Sequence, residues 1–256
     1  MMRRAPALVA IALCASPCAA RAQTMLDQEQ QLMDIHSLLL DLPPLQAPAA
    51  LASGTIGVSL EGVTIPVIDG TTGSKTQITA SDRTRIYPRP RLMLGLPAPE
   101  GFRTFLGLSY IPPFTIREVS TNYFAAEAGF GYAPRALRAG VRLHALYATS
   151  RAPVTDPATR DELETREWGA DLGVGWRFAF QALELTPYAG AGVVSLRGRF
   201  RVTSDGTVLH SDYTGAAVQA GVRLLFRSRW EVVTELDAYP SRLFHTNVRV
   251  GYLFGG

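Results

Sequence analysis

The feature that most constrains this chain is a period of two that sets in near residue 55 and continues to residue 254. In 137–149, Leu137, Ala139, Val141, Leu143, Ala145 and Tyr147 alternate with Arg138, Gly140, Arg142 and His144. In 166–179, Trp168, Ala170, Leu172, Val174, Trp176 and Phe178 alternate with Glu167, Gly169, Asp171, Gly173, Gly175 and Arg177. In 243–254, Phe244, Thr246, Val248, Val250, Tyr252 and Phe254 alternate with His245, Asn247, Arg249 and Gly251. Successive side chains of a strand point to opposite faces. Each segment therefore carries one apolar, aromatic face and one face of glycine and charge.

Ten such segments are expected, at 55–67, 83–96, 102–110, 121–132, 137–148, 166–179, 183–194, 212–226, 229–238 and 243–254. Eight and twelve are the alternatives. Several reach the 9–11 residues or so that a tilted membrane strand needs. Short turns are read at 97–101, 133–136, 180–182 and 227–228, and long polar loops at 68–82, 111–120, 149–165 and 195–211. A soluble sandwich has no reason to place its long loops at one end. A transmembrane antiparallel up-and-down β-barrel of the bacterial outer membrane requires this pattern: short periplasmic turns, long outer loops, an apolar belt with aromatic girdles and a polar lumen. Closure removes the edges that lipid cannot hydrogen-bond. Past residue 23 no apolar run of about 18 residues exists, so a helical membrane protein is excluded. The chain is 47% apolar, too much for a disordered one.

Residues 1–22 have the layout of a signal peptide: Arg3 and Arg4, an apolar stretch through Pro17, and Ala20-Arg21-Ala22 as cleavage site. Three of the 25 basic residues leave with it, so 22 basic residues face 22 acidic ones and the basic excess disappears. Nucleic acid drops out as a partner. Cys14 and Cys18 also leave, removing disulfide, thiol and cysteine-metal chemistry. Residues 23–54 form a second unit. Met25, Leu32, Ile35, Leu39 and Leu42 have helical spacing, Thr24 and Asp27 can cap the start, and Pro43-Pro44 stop it. An amphipathic helix over 25–42 and a linker over 45–54 are expected. This unit either rests on the barrel from the periplasm or enters it as a plug. His36 is read as a polar-face residue. The barrel takes 55–256.

Leu185-Thr186-Pro187-Tyr188-Ala189-Gly190-Ala191-Gly192-Val193 is similar to a strand common among the small outer-membrane β-barrels of Gram-negative bacteria. Val248-Arg249-Val250-Gly251-Tyr252-Leu253-Phe254 resembles their C-terminal assembly signal, with Gly255-Gly256 following the aromatic. The chain from 55 to 256 thus resembles that superfamily of OmpA-like and porin-like barrels. The resemblance implies outer-membrane lipid and the barrel-assembly machinery as partners, the latter reading Val250, Tyr252 and Phe254. It specifies no single activity.

The alternation assigns a charged lumen: Arg85, Arg89, Arg91, Glu127, Arg138, Arg142, His144, Glu167, Asp171, Arg177, Glu184, Gln219, Arg223, Glu231, Glu235, Asp237 and Arg249. Both signs occur on neighbouring strands, with Glu127 facing the strand of Arg138 and Arg142. Mutual neutralisation would close a narrow lumen and leave a structural or surface-interaction protein. An unpaired row of Arg85, Arg89 and Arg91 would instead line a narrow channel or apolar-ligand transporter, with a small ligand or ion inside. Pro88 and Pro90 lack N–H groups on one side of their strand, so one seam should be weakly bonded near its outer end. A rim hydrolase would need a tight His210–Asp212 or His245–Asp237 pair beside Ser211 or Glu235. Barrel proteases of the omptin type place the acid before the histidine; here the order is reversed. Asp161, Glu162 and Glu164 read as solvated loop charges. No cofactor, metal spacing or phosphate loop is found, and non-enzymatic function is expected.

Overall fold

The computed structural model describes residues 37–67, 83–116, 118–153 and 158–255, without the side chains of 63–67, 83–85 and 87. The segment expected to be a signal peptide (1–22) and residues 23–36, including His36, lie outside the described residues. β1 (Ile56–Val67), β2 (Arg83–Leu96), β3 (Phe102–Ile116), β4 (Val119–Tyr132), β5 (Leu137–Ala152) and β6 (Asp161–Trp176) follow one another as antiparallel neighbours. They are continued by β7 (Phe178–Ala179), β8 (Leu183–Arg201), β9 (Val208–Phe226), β10 (Trp230–Tyr239) and β11 (Leu243–Phe254). β1 pairs with β11 and β6 with β8, so the sheet closes on itself. β7 keeps the register of β6 against β8 after a break at Arg177: Gly175 pairs with Tyr188 and Phe178 with Leu185. The barrel therefore has ten staves.

Strand boundaries near the short turns agree closely with the sequence pattern. At the other end the strands run further than expected. β3 runs to Ile116 and β4 starts at Val119, β5 runs to Ala152 and β6 starts at Asp161, and β8 runs to Arg201 and β9 starts at Val208. There the residues facing outward are polar or charged, such as Arg151, Arg166, Arg197 and Arg199, so apolar alternation fades while hydrogen-bonded pairing continues. The long-loop readings are corrected accordingly.

Polarity is inverted relative to a soluble barrel. Outward residues are apolar and exposed: Leu143 at 63%, Trp168 at 61% and Leu172 at 63%. Trp176, Phe178, Phe226, Trp230 and Phe254 are exposed at the short-turn end, and Tyr110, Phe124, Tyr147, Trp168 and Phe244 higher up. Trp168 and Trp176 stand eight residues apart on β6, about 26 Å along the strand at roughly 3.3 Å per residue. A tilt of about 40° reduces this to about 20 Å along the axis, close to the apolar band of a membrane barrel.

Inside, residues 37–55 run up the lumen. Thr55 joins Gly95 at the short-turn end through a Gly95 N–H bond to the Thr55 carbonyl (2.8 Å). Ala49 lies against Gly131, Pro48 against Gly173, and Ser37 against Gly198 near the far end of β8. The glycines of the inward face supply the room, since a Cβ at Gly131 would stand 2.5 Å from that of Ala49. The helix expected over 25–42 does not reach Leu42. Leu40 and Asp41 N–H groups bond back to Ser37 and Leu38 carbonyls, and the chain then continues without helix, with Leu45 and Ala49 at positive φ. Pro43 disfavours helix at Leu42, and wall arginines bind the freed carbonyls.

The prolines of β2 face β1 residues Leu60 and Gly62, and the β1–β2 ladder continues to Val67↔Arg83. The β2–β3 ladder stops at Arg91↔Ser109. Pro88 and Pro90 have no N–H to extend it.

The β9–β10 hairpin turns on Arg227 and Ser228, both at positive φ (48° and 58°). This is the geometry for which Asn-Gly is preferred. Replacing Arg227-Ser228 by Asn-Gly should stabilise the folded barrel by up to about 1 kcal/mol and raise its denaturant midpoint, whereas Ser228→Val should lower both. Urea titration of the heat-modifiable band on gels reads both.

Candidate functional site

The lumen wall holds a relay of opposite charges. Arg89 Nε lies 2.6 Å from Glu61 Oε2, and Arg91 bonds Glu61 (2.7 Å) and Glu127 (2.5 Å). Glu127 also meets Arg142 (3.2 Å), and Arg142 meets Asp171 (2.6 Å). Three guanidinium groups thus alternate with three carboxylates across β1, β2, β4, β5 and β6. A second group joins Glu184, Arg223, Glu231 and Arg249, with Arg223–Glu231 at 2.5 Å and Arg249–Glu231 at 2.6 Å. Each charge in the first relay is buried, so each must have its partner.

Donors left over from the relay hold the inner segment. Arg89 donates to the Asp41 carbonyl (3.2 Å), Arg142 to the Leu42 carbonyl (2.8 Å) and Arg91 to the Pro43 carbonyl (3.4 Å). The Leu45 N–H donates to Glu235 Oε1 (2.9 Å). Pro43, Pro44 and Pro48 have no N–H to satisfy, which suits an irregular chain buried away from water. Leu40 and Leu42 pack with Ile111, Tyr123 and Leu146; Leu38 packs with Val194, Leu196 and Tyr239.

The inward residues read from the sequence divide as follows. Arg89, Arg91, Glu127, Arg142, Asp171, Arg223, Glu231 and Arg249 are in the two ion-pair groups. His144 lies 3.2 Å from Asp171 by its Nδ1. Glu235 accepts from Tyr188 (2.7 Å), and Asp237 from Asn247 (2.7 Å). Arg177 sits at the short-turn rim, 3.4 Å from Glu184. β4 pairs with β5, so Glu127 does face the strand of Arg138 and Arg142; Arg142 meets it, while Arg138 bonds the carbonyls of Arg135 and Leu137 at the rim. The side chain of Arg85 lies outside the described residues. Val250 and Phe254 face outward on β11, and Tyr252 packs edge-on against Trp230 and Phe254.

Two members of the site escaped sequence reasoning. Glu61 shares the face of Gly57 and Ser59, opposite Val58 and Leu60, so the alternation in β1 could have found it. Asp41 lies in a stretch read as helix and had no signal. Its carboxylate accepts from the Tyr239 hydroxyl and lies 3.6 Å from His144 Nε2.

The hydrolase pairs are not assembled. His210 and Asp212 both face outward on β9, opposite Arg199 and Arg197 of β8, while Ser211 is buried inward. His245 pairs in register with Asp237, but Asn247 binds the Asp237 carboxylate, and the His245 ring stacks on Tyr239 at 5.8 Å.

No protein-family model matches the chain, and no curated protein sequence does. Solved structures similar to it include the translocator domain of autotransporter NalP from Neisseria meningitidis, at 11% identity and TM-score 0.46, covering 90% of this chain and 95% of that one. The N-terminal β-barrel domain of Pseudomonas aeruginosa OprF matches at 12% identity and TM-score 0.31 over 80% of this chain and all of its own. LpxR from Salmonella typhimurium matches at 8% and 0.38 over 79% of this chain and all of its own.

Glu127→Gln should destabilise the barrel by about 3–5 kcal/mol, because Arg91 and Arg142 would keep buried charge with too few partners. Breaking the exposed Arg151–Glu162 pair (3.4 Å) should cost under about 1 kcal/mol. Urea midpoints in one detergent compare the two.

Proposed function

We propose that the chain is an integral outer-membrane β-barrel of a Gram-negative bacterium, sealed by its own residues 37–55, with a structural or surface-interaction role. Export by cleavage after Ala22 and delivery to the barrel-assembly machinery through Val250, Tyr252 and Phe254 belong to this reading. The exposed apolar belt between two aromatic zones supports residence in lipid. Beyond the upper zone the exposed Arg151, Arg166, Arg197 and Arg199 form a polar collar suited to the aqueous outer side.

One observation carries the closed-lumen reading: an irregular segment lies in the lumen while Arg89, Arg91, Arg142 and Glu235 bind its backbone. The arginines that would line an anion path are instead paired, Arg89 and Arg91 with Glu61 and Glu127. No step of catalysis is assigned.

A transporter reading keeps one observation in its favour, the β2–β3 ladder that ends at Arg91↔Ser109. A lateral passage for an apolar ligand would lie above that point. If backbone amides there resist hydrogen exchange as well as those of β5–β6, the passage is excluded.

Refolded 23–256 in a planar bilayer should be electrically silent, and the same barrel lacking 23–54 should conduct steadily. Steady conductance of the intact chain would overturn the closed-lumen reading. Leu172→Arg tests the lipid placement separately. It should cost about 2–4 kcal/mol in vesicle refolding if Leu172 faces the bilayer core, against roughly half a kcal/mol or less on a wet surface.

A further inference from the structure

Charge is balanced along the arginine relay but not beside it. Asp41 of the inner segment, His144 of β5 and Glu167 of β6 converge on one point between the segment and the wall, and all three are buried. Their ligating atoms lie within 4.8 Å of one another. His144 Nε2 stands 3.4 Å from Glu167 Oε1 and 3.6 Å from Asp41 Oδ1.

The neighbouring donors are committed elsewhere. Arg142 is held by Asp171, Glu127 and the Leu42 carbonyl. The Tyr239 hydroxyl goes to the other oxygen of Asp41. Glu167 is 4% exposed, with the Leu42 N–H and the Asp41 carboxyl beside it, yet neither of its carboxylate oxygens, nor Asp41 Oδ1, nor His144 Nε2 makes a hydrogen bond of good geometry. Two carboxylates and an imidazole nitrogen therefore aim unpaired polar atoms into the same spot. Two carboxylates so placed in a dry interior require a cation or a proton between them.

We propose that Asp41, His144 and Glu167 bind a divalent transition-metal ion of the zinc class, which clasps the inner segment to the barrel wall. Ligands about 2.1 Å from a tetrahedral zinc lie roughly 3.4 Å from each other, the spacing that His144 Nε2 already has with the two carboxylates. An imidazole with two carboxylates suits zinc and its neighbours, whereas calcium and magnesium take oxygen ligands. His144 turns its other nitrogen, Nδ1, to Asp171 Oδ2 at 3.2 Å. The contact lacks good hydrogen-bond geometry as it stands, and a small turn of the ring would complete the carboxylate–histidine–metal arrangement in which an outer carboxylate orients the imidazole. Asp171 is in turn fixed by Arg142, so the clasp is anchored in the relay. The sequence offered no hint, because the three ligands are 103 and 23 residues apart along the chain.

The test uses tag-free 23–256, folded in detergent, stripped with chelator and titrated with Zn2+ and with Co2+. One equivalent of each metal per chain is expected, with the visible absorption of tetrahedral Co2+. Glu167→Gln and His144→Gln should abolish binding. Asp41→Asn, which leaves the wall untouched, should weaken it at least tenfold, and Asp171→Asn should weaken it 10–100-fold. His210→Ala, on the outer face, should bind as the unaltered chain does. A heat-modifiable band establishes that each variant is folded. Absence of stoichiometric binding in the folded, unaltered chain overturns the proposal and leaves a shared proton between Asp41 and Glu167. Binding that survives Glu167→Gln and Asp41→Asn, or that is lost in His210→Ala, overturns it equally.

Discussion

Burial of charge away from water is the constraint on which the interior depends. Arg91 has a fully buried side chain, between Glu61 on β1 and Glu127 on β4. Neither carboxylate serves it alone: Glu61 also holds Arg89, and Glu127 also holds Arg142. Such pairs add little net stability, but losing one member strands a charge. The relay therefore works as a specificity device. It accepts one set of strand neighbours and one register, because a slip of one residue would turn every arginine into lipid.

The inner segment depends on the same charges. A stretch of chain without a ladder partner ordinarily runs over the surface, where water satisfies its backbone. Here guanidinium groups do so, each giving some donors to carboxylates and one to a carbonyl of residues 41–43. Arginine's fork of five donors allows this division, which a lysine could not match. The three prolines reduce the number of N–H groups that need a partner. Lumen glycines then clear the width, and the segment seats where wall and charge permit.

The two sides of the lumen differ in their remaining demand. Along the relay, from Glu61 on β1 to Asp171 on β6, arginines and carboxylates balance. Toward Glu167, Glu235 and Asp237 the acids outnumber the arginines, and neutral donors from Tyr188, Tyr239 and Asn247 meet part of the excess. The point where Asp41, His144 and Glu167 meet carries the unmet part. The interior is thus sealed by an arginine-rich wall on one side and held by a carboxylate-rich cluster on the other.

The barrel was legible because its signal is local. A strand with one face in lipid and one face in a polar lumen must alternate, so Trp168 to Phe178 and Leu137 to Tyr147 declare both their conformation and their facing. The short turns were equally plain. Alternation failed as a guide above the upper aromatic zone, where Arg197, Arg199 and Arg201 face outward and Gly198 and Phe200 inward, so the apolar face no longer marks the lipid side. Alternation gave the facing of Arg138 but not its height: its place on β5 sets it at the rim, among the carbonyls of Arg135 and Leu137. Height depends on strand tilt and on the stagger with which the sheet closes, which no single segment encodes. The path of residues 37–55 was decided only by the tertiary structure, since a run with helical spacing leaves the helix where Arg89, Arg91 and Arg142 bind the carbonyls of residues 41–43. The sequence by itself determined which face of each strand meets lipid, because that is a choice between neighbours two residues apart. Only closure of the barrel determined which charges meet, because Asp41, His144 and Glu167 come together across a lumen that exists only when the sheet is complete.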